Sequence, residues 1–92
     1  MIRALTLMAA ALPAVAAAGA RADCGAGLDR ALQVMESRAP MKDEVATALM
    51  WLRLDAAAAI EAGDVATCRK KLAVIENVLN IEPYAAWLSR QH

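Results

Sequence analysis

Two cysteines, Cys24 and Cys68, constrain what this 92-residue chain can become more than any other feature. Joined, they close a loop of about 45 residues, which stabilises a fold by about 4 kcal/mol in the chain-entropy account. A domain this small has a thin core and depends on such a staple. Two cysteines allow one intramolecular pairing, and their even number predicts a structural disulfide over a reactive or intermolecular thiol. No C-x-x-C occurs, so thioredoxin-type redox chemistry lacks its motif, and no C-x-x-C-H supports covalent haem. Two cysteines and one terminal histidine, His92, are too few ligands for a metal centre. No cofactor is expected.

A disulfide needs an oxidising compartment, and the N-terminal segment predicts one. Arg3 supplies a single positive charge, Ala4 to Leu12 is apolar apart from Thr6, and Pro13 interrupts the run. Ala20-Arg21-Ala22 then fits the small-x-small pattern of a signal-peptidase site, leaving Asp23 as the new first residue. Cuts after Ala18 or Ala20 are the alternatives. A retained anchor fits less well, because residues 4–20 are few, Ala-rich and broken by Pro13. A lipid anchor on Cys24 lacks the Leu-small-small run that such signals need. The expectation is therefore a cleaved signal peptide, 1–22, and a single helical domain, 23–92. The product is expected in the periplasm of a bacterium or outside it, with no stable membrane span.

Composition narrows the class further. Hydrophobic residues make up 60% of the chain, which excludes a disordered solvating polymer. Ten basic residues balance ten acidic ones, so no nucleic-acid binding by bulk electrostatics is expected. Loss of Arg3 and Arg21 would leave eight basic against ten acidic residues, a formal charge of −2.

Apolar spacing of three and four residues predicts helices throughout. The first should run from about Cys24 to Arg38, with Asp23 as N-cap and Leu28, Ala31, Leu32 and Met35 on one stripe. Gly25 and Gly27 weaken its first turn, and Pro40 disfavours helix at Ala39. The second should span about Met41 to Ala62. Asp43 and Glu44 sit in its first turn, Val45, Ala48, Leu49, Leu52, Ala56, Ala59 and Ile60 form its core stripe, and Gly63 ends it. Asp64 caps a third, about Val65 to Asn80, with Val65, Cys68, Leu72, Ile75 and Leu79 inward. Asn80 can end that helix in the left-handed conformation. Pro83 at the first helical position restarts a short helix bearing Tyr84, Trp87 and Leu88. Short connections make consecutive helices antiparallel, so the starts of the first and third share one end. Cys24 and Cys68 occupy those starts. The fold expected is all-α: an up-down-up three-helix bundle with a short C-terminal helix, stapled by one disulfide.

The second helix carries more apolar surface than a small core needs. Met50, Trp51, Leu54 and Ala58 form a second row, and at about 100° per residue Leu54 projects nearly opposite Val45. Either the Tyr84–Leu88 element folds back over Trp51 and Leu54, or the row is an exposed patch for a partner or a second copy. Met50, Trp51, Leu54 and Trp87 are the candidate interaction residues.

Catalytic arrangements are not legible. Ser37, Ser89, Thr47 and Thr67 have no base placed by sequence, and Asp43 and Glu44 are adjacent helix-start acids facing different directions. Arg69-Lys70-Lys71 reads as a solvated face, and the methionines are spaced as core rather than as copper ligands. The expectation is no catalysis, and action through an exported protein partner or self-association. A small apolar-ligand carrier, with a pocket lined by Met50, Trp51, Leu54 and Trp87, is the alternative. In size and in its wide Cys24–Cys68 spacing the chain also resembles periplasmic acid-stress chaperones, small helical proteins held by one disulfide. That resemblance implies a fold that loosens at low pH and uncovers the second apolar row.

Overall fold

The computed structural model describes the backbone of residues 2–38 and 40–91 and the side chains of residues 19–38 and 40–91. His92, and the side chains of the apolar run 4–12, lie outside the described residues. Four helices follow in order: α1 (Ile2–Ser37), α2 (Asp43–Glu61), α3 (Val65–Leu79) and α4 (Tyr84–Ser89). The first three pack together, and no strand occurs among the described residues. No helix among them is long and apolar enough to cross a membrane.

Two tethers set the direction of α1 against α3. The Cys24–Cys68 disulfide joins the two helices at one end, with Cα atoms 6.5 Å apart and both sulfurs in the core. At the other end, the Arg38 guanidinium donates to the Leu79 carbonyl, 41 residues away. The two helices are therefore parallel over this stretch. The α2 helix returns between them, since Arg53, Ala57 and Ile60 near its end share a cleft with Gly25 and Leu28 of α1. The core is Cys24, Leu28 and Ala31 of α1, Leu49 and Ala56 of α2, and Cys68, Leu72, Ile75 and Leu79 of α3. Ala56 is completely buried, and its small side chain lets the neighbouring helices come close.

The connections are fixed by local chemistry. Gly63 adopts φ +81°, which favours glycine, and the N–H of Asp64 donates to the Ala59 carbonyl to close the end of α2. Asp64 then caps α3, accepting from the Thr67 backbone N–H at 3.1 Å and from the Thr67 hydroxyl. Asn80 ends α3 at φ +54°, and the N–H of Ile81 reaches back to the Glu76 carbonyl. Both hairpin signals read from the sequence are present as the left-handed and N-cap residues expected.

Four expectations are corrected. Asp23 is not an N-cap in the full chain: the Ala-rich residues before it continue α1, so it lies inside the helix. Pro83 is the N-cap residue of α4 rather than its first helical residue, because its ψ of 140° is extended. Ala48 is exposed rather than core, and so is Val45, at 37%. Counted outward from Gly63, Val45 lies beyond the last residue of α3, so nothing on α3 is level with it.

The glycines of α1 have unequal roles. A Cβ on Gly27 would sit 2.5 Å from Leu72 Cδ2 and 3.3 Å from Tyr84 Cβ, whereas one on Gly25 meets nothing within 4 Å. Gly25→Ala should stabilise the fold by about 0.5–1 kcal/mol through helix propensity. Gly27→Ala should forfeit that gain to the clash with the α3 core. Thermal melts of the two variants check this, and equal shifts would refute the close approach at Gly27.

The cap predicts a pH response. The Thr67 hydroxyl, then the Thr67 backbone N–H, hold the Asp64 carboxyl below its ordinary 3.8. A folded value below the unfolded one means stabilisation that is present above the unfolded value and lost as pH falls through the folded value. Asp64→Ala should therefore be less stable than the parent at neutral pH, with the gap closing in strong acid, below the ordinary carboxyl value of 3.8. Denaturant melts at both pH values measure it, and a gap independent of pH would contradict the cap.

Candidate functional site

The sequence-derived candidates separate into two places. On α2, Trp51 is 63% exposed, Met50 59% and Leu54 49%. All three lie on the arc opposite the buried Leu49 and Ala56. The C-terminal helix does not cover them, so the fold-back arrangement over Trp51 and Leu54 is overturned. On α3, Val74 (46%) and Val78 (50%) are also exposed. Trp51 and Ile75 each lie twelve residues from Gly63, so the antiparallel hairpin brings Trp51 level with the Val74–Val78 turn. The exposed apolar surface thus continues from α2 towards α3.

Trp87 belongs elsewhere. Its ring stacks on Tyr84 with centroids 5.6 Å apart, and the Arg30 guanidinium of α1 lies 5.5 Å from its ring centre. The physical reason that α4 docks here rather than on α2 is Glu76. This α3 residue is only 6% exposed. One carboxylate oxygen accepts the Tyr84 backbone N–H at 2.7 Å and stands 3.7 Å from Arg30 Nη1. The bond satisfies a free N–H in the first turn of α4 and fixes that helix against α1 and α3. Arg30 Nη1 has no hydrogen-bond partner of its own among the described residues, so the carboxylate and the Trp87 face are what compensate its burial.

Neither Glu76 nor Arg30 was singled out from the sequence. The signal was present for Glu76: it falls four residues after Leu72 and three before Leu79, on the apolar stripe of α3. A carboxylate on a core stripe demands a donor. Its partners, a backbone N–H and an arginine 46 positions earlier, are set by tertiary packing and have no local signature.

Two clefts open between helices. One, of about 460 Å³, is lined by Asp23, Cys24, Arg69, Tyr84, Ala85 and Leu88. The other, of about 260 Å³, lies between α1 and α2 and includes Arg53 and Ile60. Met50, Trp51, Leu54 and Trp87 line neither of these two clefts. Comparison with protein-family models, curated proteins and solved structures finds no match to this chain.

Removing the Glu76 carboxylate should release α4. Glu76→Ala is expected to cost about 1–3 kcal/mol, since it leaves a buried guanidinium and an N–H without their acceptor. In a Trp51→Phe background, emission from Trp87 should shift to the red. Glu76→Gln keeps an acceptor for Tyr84 but loses the charge facing Arg30, so it should fall between. Unchanged melting and emission in both variants would refute the anchoring role.

Proposed function

We propose that this chain is a small exported helical protein, periplasmic or secreted, that acts by binding another protein through the outer face of α2. The observation that carries the reading is the exposure of Trp51, Met50 and Leu54 on one face of an otherwise well-packed helix. Clustered large apolar side chains lose free energy in water, and patches of this kind mark interaction sites on small domains. Tryptophan is also a frequent anchor at interfaces, where its wide ring fills a partner's pocket. The disulfide supports export, because such bonds persist in oxidising compartments. The signal-like run ending at Ala22 supports the same route. Folding makes no demand on the α2 face, so its side chains are free to serve recognition.

The test is a paired pull-down from periplasmic extract with the parent protein and a Trp51→Glu plus Leu54→Glu variant. Both sites are solvent-exposed, so circular dichroism and melting should be nearly unchanged, within about 0.5 kcal/mol per site. A partner recovered by the parent and lost by the variant is expected. Equal recovery from both proteins overturns the reading.

A further inference from the structure

The α2 face carries charge as well as apolar surface, and the charge specifies what can sit on it. Met50, Leu54 and Ala58 follow one another at four-residue steps along the outer stripe. Asp43 precedes Met50 by seven residues and Glu61 follows Leu54 by seven, so both ends of the stripe finish in a carboxylate. Glu44 and Asp55 lie in the same way along the edge occupied by Trp51. All four acids are exposed, and none has a cation within salt-bridge distance among the described residues. Arg53 is the only base within α2, and it is half-buried in the cleft against α1, which Glu61 also lines. Lys71 stands level with Asp55 across the hairpin and moderates that edge. The Arg21 guanidinium lies beside Gly63, near the Glu61 end, but belongs to the segment that the proposed export would remove, and neither Asp43 nor Glu61 has an ion-pair partner among the described residues.

We infer that the face receives a basic amphipathic helix, whose apolar side covers Met50, Trp51 and Leu54 while its lysines and arginines meet Asp43 and Glu61. This rests on the interaction reading above and narrows it to one class of partner. The stripe from Asp43 to Glu61 is about 27 Å long at 1.5 Å per residue, the length of a five-turn helix. Helix-in-groove recognition uses this combination of spaced apolar anchors and flanking charge. A second copy of the chain fits poorly, because docking two such faces would bring like charges together. Anionic lipid is repelled for the same reason.

The experiment uses the purified protein, with Trp51 emission and calorimetry as readouts. The probe is a synthetic Leu/Lys amphipathic peptide of about 18 residues. A Leu/Glu peptide of the same pattern and a scrambled Leu/Lys peptide are the controls. The inference expects a blue shift and saturable binding for the patterned Leu/Lys peptide only. Affinity should fall on raising salt, since the contacts are exposed and screened within about 10 Å at 0.1 M. Asp43→Asn with Glu61→Gln should weaken binding about threefold to tenfold at low salt and little at high salt. The two changes act oppositely on the helix dipole, so stability should hold.

Binding of the Leu/Glu or scrambled peptide as strong as that of the patterned basic one overturns the basic-helix assignment and leaves the interaction reading standing. So does a concentration-dependent dimer in sedimentation that Trp51→Glu abolishes, which makes the occupant a second copy. Failure of every peptide to bind overturns the assignment. If the pull-down then recovers equal material from parent and variant, the interaction reading falls as well.

Discussion

The covalent tie between Cys24 and Cys68 is the constraint on which the arrangement depends. It joins α1 to α3 at one end, and the Arg38 to Leu79 hydrogen bond joins them at the other. Two helices held parallel at both ends leave room for one return helix, and α2 fills it with Leu49 and Ala56 inward. Few buried side chains are needed once the frame is set this way. That is how a core of nine buried apolar residues among those described, four of them Ala or Cys, suffices. Stapling also limits the unfolded chain, so stability comes partly from a state in which none of these contacts exist.

Most of the frame was legible in the sequence, for a physical reason. Helix boundaries here are written by local chemistry: Gly63 and Asn80 in left-handed conformations, Asp64 with its cap on Thr67. Such signals act within a few residues and survive any tertiary context. The stripe of α3, from Cys68 to Leu79, was read for the same reason, since periodicity names the inward side. The destination of α4 was not legible. A six-residue helix with no fully buried side chain carries no periodic signal strong enough to choose between α2 and the α1/α3 side. The choice was made by Glu76, Arg30 and the gap over Gly27, three residues that come together only after folding.

Glu76 also shows how a polar group can specify a structure that apolar burial leaves undetermined. Tyr84, Trp87 and Leu88 would stick to any exposed apolar surface, including the row on α2. A buried carboxylate needing a donor, beside a buried guanidinium needing an acceptor, makes one location much better than the other. The consequence reaches the outer face of α2. Because α4 is held on the far side, Trp51 stays in water, and the α2 row remains available.

Availability has a cost that the fold does not require. In a three-helix bundle each helix needs to bury roughly a third of its circumference, and α2 meets that need with Leu49, Leu52, Ala56 and Ile60. Lysine or glutamate at positions 50, 51 and 54 would satisfy the helix equally and raise solubility. The acids Asp43 and Glu44 have a structural reason, since they sit where the α2 dipole favours negative charge. Glu61 has the opposite placement, at the negative end of the same helix, where it is slightly unfavourable. Nothing in the packing of α1, α2 and α3 calls for the exposed row of Met50, Trp51 and Leu54, whereas Glu61 also lines the cleft that holds Arg53.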